Sequence, residues 1–234
     1  MKIKFLKNLS IFFILIFSIS SLRVYAAEDS EKIIYLTFDY WHAGHITTDV
    51  LDILKEENVP GTFFLIGDQI KDQEDLVKRL KEEGHSIGLH SMSHEKSKLY
   101  ASNDAFLKEM LDSQALIKDI TGESPTILRF PCGCNNTCYK LKPELVDLLH
   151  KNNLRIFDWN VDTTDGANPY ASPSTFINKA KSDKDTIFLL MHCGYQSKNS
   201  VKALPEIIKY YKDKGYSFKA IDDDTPEQFH YIKK

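Results

Sequence analysis

The sequence predicts an α/β fold, most simply a distorted (β/α)7 barrel. Short apolar runs of the kind found in strands buried on both faces alternate with amphipathic helical segments along most of the chain. This alternation favours a parallel sheet with right-handed crossovers. Seven such runs in about 190 residues suit an incomplete barrel better than an open doubly wound sheet. No G-x-G-x-x-G follows the first run, which argues against a dinucleotide-binding fold.

The predicted elements follow from apolar periodicity and from the residues that interrupt it. Strands are predicted at residues 33–38, 62–66, 86–89, 127–130, 155–158, 186–191 and 216–220. Helices are predicted at residues 49–57, around 76–80, across 106–120, and at 143–151, 174–181 and 205–214. Gly84 and Gly122 stand where C-terminal helix caps are expected.

The first 26 residues predict a secretory signal peptide. Lys2, Lys4 and Lys7 precede an apolar stretch at 11–22, and small residues follow at 24–26. Serines interrupt the apolar stretch, so a membrane-spanning helix is less favoured, and an uncleaved anchor is the alternative. We therefore expect a secreted or cell-wall-associated protein without stable membrane insertion after cleavage.

The charge balance argues against a nucleic-acid partner. The 234-residue chain has a net charge of −3, which becomes −7 without residues 1–26, because that segment holds four basic and no acidic residues. Nucleic-acid binding depends on basic patches, which an acidic chain with interspersed charges does not offer. No linker marks a second domain, so we expect one domain over residues 31–226. We also expect a monomer.

Four cysteines are present, at positions 132, 134, 138 and 193. In an exported protein disulfides are the default expectation, and four cysteines allow three pairings. Cys134 and Cys138 are close enough in sequence to close a short loop.

His90 and His94 predict a metal site. They lie four residues apart in a serine-rich stretch after the third strand. Imidazole is the commonest metal ligand near neutral pH, and an i, i+4 pair on one helical turn directs both rings to one ion. Two surface histidines with this spacing by chance are the alternative.

Other residues that carry chemistry stand at strand ends. Asp39 ends the first strand, Arg129 the fourth and His192 the sixth, while Asp162 and Asp165 follow the fifth. Each alone is more commonly structural, as a helix cap or an ion-pair partner. In parallel barrels, however, the chemistry lies at the carboxyl ends of the strands, so their joint placement predicts one site.

In this order the segments resemble the motifs of the polysaccharide deacetylases of carbohydrate esterase family 4, the NodB homology domain. Residues 37–39 resemble the first motif, normally T-F-D-D, and residues 90–94 the second, H-S-x-x-x-H. Residues 129–131, 162–165 and 190–192 resemble the third, fourth and fifth. The likeness runs from about residue 33 to residue 222, and residues 157–162 are similar to bacterial peptidoglycan deacetylases.

The resemblance implies a barrel of the polysaccharide deacetylase type and a metal-dependent enzyme. Its substrate would be the N-acetyl group of amino sugars in a cell-wall glycan, most simply peptidoglycan. His90 and His94 would bind a divalent metal, zinc or cobalt. Asp39 would be the general base, oriented by Arg129. His192 would be the general acid, with Asp165 as its partner. The substrate site would be lined by Pro131, Cys132, Trp159 and Leu190. A backbone N–H near Cys132 would help to stabilise the oxyanion.

Three positions depart from the family pattern, and one of them is Cys132, which stands where Tyr or Gly is usual. Tyr40 stands where the second Asp of T-F-D-D supplies the third metal ligand, and a neutral phenol is a poor ligand for zinc. His42 or His45 could substitute for it. In the fourth motif, Gly166 stands where an aromatic residue is common.

Two classes of function therefore remain open. One is an exported deacetylase; the other is a pseudoenzyme or glycan-binding module that keeps the fold with an impaired metal site. Retention of Asp39, Arg129, Asp165 and His192 favours the enzyme. A serine nucleophile is less favoured, because no G-x-S-x-G is present.

Overall fold

The computed structural model describes residues 31–40 and 45–229. Within them the strands are β1 (Ile33–Tyr40), β2 (Thr62–Leu65), β3 (Ser86–Leu89), β4 (Ile127–Leu128), β5 (Arg155–Ile156), β6 (Val161–Asp162), β7 (Thr186–His192) and β8 (Ser217–Phe218). All of the pairings are parallel, in the order β5-β4-β3-β2-β1-β7-β6. β8 pairs with the start of β1. All seven predicted strands are present, and only the two-residue β6 was not predicted.

The sheet curves into an open barrel. β5 and β6 lie at its two ends, and in a flat seven-stranded sheet they would be about 29 Å apart at the usual strand spacing. The chain from Ile156 to Val161 reaches at most about 18 Å, so the two ends must approach each other. Among the described residues no ladder joins β5 to β6; instead Phe157 forms an isolated bridge with Gln228. This geometry is the distorted barrel that the sequence predicted.

Helices cover the outside of the sheet. They are α1 (His45–Glu56), α2 (Glu74–Glu82), α3 (Lys96–Leu99), α4 (Asn103–Thr121), α5 (Pro143–Lys151), α6 (Pro173–Ala180) and α7 (Lys198–Asp213), with a 3-10 turn at Gly67–Gln69. None of the helices in the described ranges is both long and apolar enough to cross a bilayer.

α7 begins well before the predicted start at Pro205. Proline favours the first helical turn, so the sequence suggested a helix that begins there. Instead Pro205 lies inside the helix. Ser200 and Ala203 in the first turns continue the buried face that Ile207 and Tyr211 form later. Burial of this continuous face outweighs the local cost of an internal proline.

The register of β1 and β7 brings two of the predicted site residues together. β1 is buried on both faces, and its last residues Asp39 and Tyr40 lie at the carboxyl edge of the sheet. Asp39 is the register partner of His192, and the Cys193 N–H donates to the Asp39 carbonyl oxygen over 3.2 Å. The Thr37 hydroxyl donates to the Leu189 carbonyl oxygen and further fixes this pair of strands. Two residues 153 positions apart in the chain therefore become neighbours.

Candidate active site

Asp39 is a buried carboxylate that lies between the side chains of Arg129 and His90. Its Oδ1 accepts a hydrogen bond of 2.9 Å from Nη1 of Arg129, and its Oδ2 lies 3.5 Å from Nε2 of His90. Burial alone would raise the pKa of Asp39, but the charged Arg129 guanidinium, which donates a hydrogen bond to it, and the nearby His192, whose own pKa is raised, outweigh burial and hold the pKa of Asp39 below its ordinary value. Asp39 is therefore ionised at neutral pH and can accept a proton, as the role of general base requires.

Arg129 is fully buried and has a fixed orientation. Besides the bond to Asp39, its Nε donates to the Phe157 carbonyl oxygen over 2.9 Å and its Nη2 to that of Asp158 over 3.2 Å. The guanidinium lies 4.2 Å from the ring centroid of Phe64, a cation–π distance. These contacts compensate the buried charge and hold Arg129 where it orients Asp39.

His90 presents an unprotonated nitrogen to Asp39. Its Nδ1 lies 3.0 Å from the Arg129 carbonyl oxygen. Because a carbonyl only accepts, Nδ1 carries the proton and the Nε2 lone pair faces the carboxylate. The ring centroid of His94 lies 5.1 Å from that of His90. Burial lowers the pKa of His90, and burial together with His90 lowers that of His94 to about 4, so both rings are neutral and able to bind a metal.

The predicted helical turn across His90 and His94 is wrong, although the two rings do converge. These residues form a loop in which Ser91 (φ 68°) and His94 (φ 57°) adopt the left-handed conformation. The Glu109 carboxylate on α4 accepts from the backbone N–H groups of Met92 and Ser93, over 3.1 and 2.8 Å. The Ser91 hydroxyl accepts from the His94 N–H over 2.9 Å. A tight turn held from outside therefore replaces the regular helix.

The described residues supply two of the three protein ligands expected for a zinc site of this kind. Within the described part of the chain, no three His, Cys, Asp or Glu side chains are placed to hold a metal ion. Tyr40 is buried and lines the cavity beside His90 and His94. His45 is exposed at the start of α1, and no such group includes it. His42 lies outside the described residues. The donor set therefore fits a divalent metal through two imidazoles and is not completed by a carboxylate.

His192 and Asp165 form the second ionisable pair. Nδ1 of His192 lies 2.7 Å from Oδ1 of Asp165, while Oδ2 accepts from the His192 backbone N–H (2.9 Å) and from the Ser200 hydroxyl (2.7 Å). Burial opposes ionisation of Asp165, but its bonds from His192 and Ser200 lower its pKa. Burial likewise opposes a charged His192, yet Asp165 and the other nearby acids raise its pKa. His192 is thus suited to carry a proton and to donate it.

Both pairs face one cavity of about 410 Å³. The residues that line it include Asp39, Tyr40, His90, His94, Cys132, Trp159, Asp162, Gly166, Leu190 and His192. Seven of the ten predicted site residues are among them. Arg129 and Asp165 lie behind the wall, where they contact Asp39 and His192. Pro131 is buried behind Cys132, and its carbonyl oxygen accepts from the Tyr100 hydroxyl over 2.6 Å.

The loop after β4 forms one wall of this cavity. Cys132 (φ 66°) and Gly133 (φ 81°) are both left-handed, and a Cβ at Gly133 would lie 3.0 Å from the Trp159 ring. The Cys134 N–H donates to Oδ2 of Asp158 over 3.1 Å. Among the described residues none of the four cysteines is part of a disulfide, so the Cys134–Cys138 bridge that their spacing allowed is absent.

The residues that support the site from outside were not predicted from the sequence. Asp162 was assigned to a motif without a role, yet it lines the cavity, and its burial raises its pKa. Glu109 and Ser200 are distant in sequence from the residues that they hold, and both occur on helices whose pattern indicates only amphipathicity. Asp162 could have been found from its position at a strand end; no local signal marks the other two.

The fold and the site together define a hydrolytic enzyme of the α/β class with its acid–base groups at the strand ends. A family model described as polysaccharide deacetylase matches residues 26–144. The chain is 35% identical over 204 residues to the peptidoglycan-N-acetylglucosamine deacetylase of Bacillus cereus. The alignment covers 83% of this chain and 71% of that protein. The chain is also 35% identical over 204 residues to the peptidoglycan-N-acetylmuramic acid deacetylase PdaA of Bacillus subtilis, which covers 85% and 73%.

A solved structure gives the same result. The catalytic domain of the peptidoglycan N-acetylglucosamine deacetylase from Eubacterium rectale superposes with a TM-score of 0.79 at 31% identity, over 88% of this chain and 96% of that one. The chain therefore belongs to the polysaccharide deacetylase family. This membership confirms the fold and the enzyme class that the five motifs predicted.

Proposed function

We propose that this protein is an exported, metal-dependent deacetylase that hydrolyses the N-acetyl group of amino sugars in peptidoglycan. One observation carries the proposal: an ionised buried carboxylate, Asp39, and a histidine with a raised pKa, His192, face the same cavity from neighbouring strands. Hydrolysis of an amide needs a base for the attacking water and an acid for the departing amine. The names of the relatives support a cell-wall glycan as the substrate.

In the proposed reaction, Asp39 accepts a proton from water as the water oxygen bonds to the acetyl carbon. His192 donates the proton on its Nε2 to the sugar nitrogen as the carbon–nitrogen bond breaks, which yields acetate and a free amine. A divalent cation, zinc or cobalt, held by His90 and His94 would lower the pKa of the water and polarise the carbonyl when bound. A backbone N–H near Cys132 would stabilise the oxyanion. Trp159 and Leu190 give the cavity its apolar walls.

The test is mass spectrometry of peptidoglycan fragments after incubation with the purified protein and added zinc or cobalt. We expect fragments that have lost an acetyl group, with release of acetate. The Asp39→Asn variant under the same conditions is the control for contaminating activity. Intact fragments from the folded, metal-supplemented wild type would contradict the proposal.

A second candidate is a glycan-binding pseudoenzyme, because a buried Tyr40 and not a carboxylate accompanies the two histidines. The same experiment separates the two candidates when glycan binding is measured in parallel. Binding without loss of acetyl groups at any metal concentration would favour the pseudoenzyme.

We also propose export by a cleaved signal at residues 1–26 and action at the cell wall, on the pattern of the first 26 residues, and that the protein acts as a monomer. Amino-terminal sequencing of the secreted protein tests the cleavage. Detection only of uncleaved protein in the membrane fraction would support the anchor instead.

A further inference from the structure

Two of the four cysteines, Cys132 and Cys138, are exposed, and both lie in the loop after β4. Cys134 is 1% exposed, and its side chain is hydrogen-bonded to Asp158. Cys193 is fully buried, and burial raises the pKa of its thiol. Because thiols react as thiolates and only where a reagent can reach them, the chemistry of this chain with a thiol reagent in solution begins at the two exposed cysteines.

The side-chain amide of Asn136 joins the two parts of the loop that carry these cysteines. Its Nδ2 donates to the carbonyl oxygens of Pro131 (3.3 Å) and Gly133 (2.8 Å), on either side of Cys132. Its Oδ1 accepts from the backbone N–H of Cys138 over 2.7 Å. A single amide group therefore separates the backbone of Cys138 from the turn that contains Cys132.

Lys96 on α3 is a neighbour of both exposed thiols. Its side chain forms a hydrogen bond with Cys132 and also interacts electrostatically with Cys138. The next lysine of α3, Lys98, forms an ion pair with Glu95 over 2.8 Å. The two exposed sulfurs thus lie within the range of one ammonium group, which can stabilise the negative charge of an attacking or departing sulfur.

Cys132 connects this pair to the catalytic cavity. Its residue lines the cavity together with His94 and Trp159. Its backbone is left-handed (φ 66°), and the N–H groups of this turn are those expected to stabilise the oxyanion. A covalent bond from the Cys132 sulfur to Cys138 would draw the side chain towards the exposed end of the loop and constrain the turn. Chemistry at the surface of the loop would therefore change the wall of the cavity.

We propose that Cys132 and Cys138 are a redox-active pair, which a small-molecule disulfide oxidises to an intramolecular disulfide, and that this bond reversibly lowers turnover. The Cys132 thiolate attacks one sulfur of the oxidant and breaks its S–S bond, which gives a mixed disulfide and releases one thiolate. The Cys138 thiolate then attacks the Cys132 sulfur, forms the internal bond and releases the second thiolate. The two cysteines lose two electrons to the oxidant, and their two protons go to the two released thiolates.

The first test is mass spectrometry of the full chain after incubation with glutathione disulfide and without reductant. Trypsin leaves three of the cysteines in one peptide, residues 130–140, so variants must assign the bond. We expect this peptide to lose two hydrogens in wild type and in Cys134→Ser, and to keep them in Cys132→Ser. Cys138→Ser should instead accumulate a glutathione adduct on Cys132, because the thiol that would displace it is missing.

The lysines of α3 provide a matched pair of variants for the rate of bond formation. Lys96→Gln should slow it about 5-fold, the size of one charge contact in water. Lys98→Gln, which removes a charge two residues away that is paired with Glu95, should leave the rate unchanged. Equal rates in the two variants would overturn the arrangement of both thiols around Lys96.

The second test is acetate release before and after oxidation, and only this part rests on the proposed function. Oxidation should lower wild-type turnover about 10-fold, and dithiothreitol should restore it. Cys138→Ser should match the turnover of the reduced wild type, because Cys138 does not line the cavity. Turnover of Cys132→Ser, whatever its value, should be the same with and without the oxidant.

The two proposals fail separately. A wild-type peptide that keeps its two hydrogens would overturn the pair, as would a bond that still forms in Cys132→Ser or Cys138→Ser. A Cys132–Cys138 bond that leaves turnover unchanged would overturn the regulation. If the reduced wild type releases no acetate, the deacetylase fails, and the mass measurement still decides whether the two cysteines pair.

Discussion

The two sides of the catalytic cavity differ in completeness. On the β7 side, His192 is hydrogen-bonded to Asp165, and Asp165 also accepts a hydrogen bond from the Ser200 hydroxyl. On the β3 side, His90 and His94 converge beside Tyr40, and the described residues do not complete a set of three metal ligands. The proton-transfer groups are thus fully supported by their neighbours, whereas the metal-binding groups are supported only in part. Activity should therefore respond most strongly to changes in the proton-transfer groups, and a substitution that adds a ligand should raise the affinity for the metal.

The largest expected effect is that of Asp39→Asn. The amide keeps the shape of the side chain but cannot take a proton from water, so turnover should fall by roughly 10²–10⁴, the usual contribution of a positioned base. Acetate release from peptidoglycan measures the effect. Asp49→Asn on the exposed face of α1 is the matched control and should retain wild-type turnover. Unchanged turnover in a folded Asp39→Asn variant would remove Asp39 from the mechanism.

Gly166→Ala should have the next largest effect. Its new methyl group would displace the His192 ring, and a misplacement of about 1 Å in a catalytic group can cost on the order of 100-fold in rate. Because Gly166 is exposed, the melting temperature should change little. Asn168→Ala, two residues further along the same exposed stretch and outside the lining of the cavity, is the control. Wild-type turnover in Gly166→Ala would show that the His192 ring tolerates the contact and that glycine is not required at this position.

Asp165→Asn should shift the pH profile in a defined direction. Asp165 raises the pKa of His192 against the opposing effect of burial, so the wild-type acid stays protonated above the ordinary histidine range. Without the carboxylate this pKa falls, and the alkaline limb of kcat should move to lower pH. Rates across pH 5–9 at saturating substrate would measure the limb. A shift to higher pH, or none, would contradict the assignment of that limb to His192.

The sequence could predict the elements that depend on local composition, but not those that depend on contacts with distant segments. Apolar runs predicted the seven strands because burial on both faces is a local property of composition, and strand ends such as Asp39 and His192 followed from them. The two-residue β6 escaped detection because only its pairing with β7 defines it. The stretch from His90 to His94 was predicted as a Ser-rich loop with one helical turn. The turn was wrong because the shape of this loop depends on Glu109, which comes from another element.

The roles within the site came from the resemblance, and their geometry came only from the fold. Nothing near Asp39 in sequence indicates that Arg129, 90 positions away, will bond to it. Another cavity of about 400 Å³, which Gly166 and His192 also line, was not predicted, because it arises where the segment after β6 meets the residues after β7. Spacing predicts which residues gather at an edge of the sheet, whereas the voids between them depend on tertiary packing.

The smallest expected effect, and the sharpest test of the incomplete side, is Tyr40→Asp. A carboxylate adds negative charge to the two neutral imidazoles, so zinc affinity should rise by about 10-fold or more, about 1.4 kcal/mol. The same change removes a ring that is 1% exposed, so the metal-free protein should lose roughly 3 kcal/mol of unfolding free energy. Calorimetric titration with zinc and thermal unfolding without metal measure the two effects. Tyr40→Phe, which keeps the ring, should change neither by much.

His90→Ala completes this comparison, because it removes a ligand whose neutral Nε2 faces the cavity. We expect zinc binding to be lost, and undiminished binding would mean that the ion is held elsewhere. Wild type that already binds zinc as tightly as Tyr40→Asp would indicate that another residue supplies the third ligand. His42 is then the first candidate, since it lies two residues beyond Tyr40, and a His42→Ala variant should lower the affinity of wild type. If His42→Ala changes nothing while Tyr40→Asp gains affinity, two histidines alone hold the metal, and the weak site is a property of this sequence.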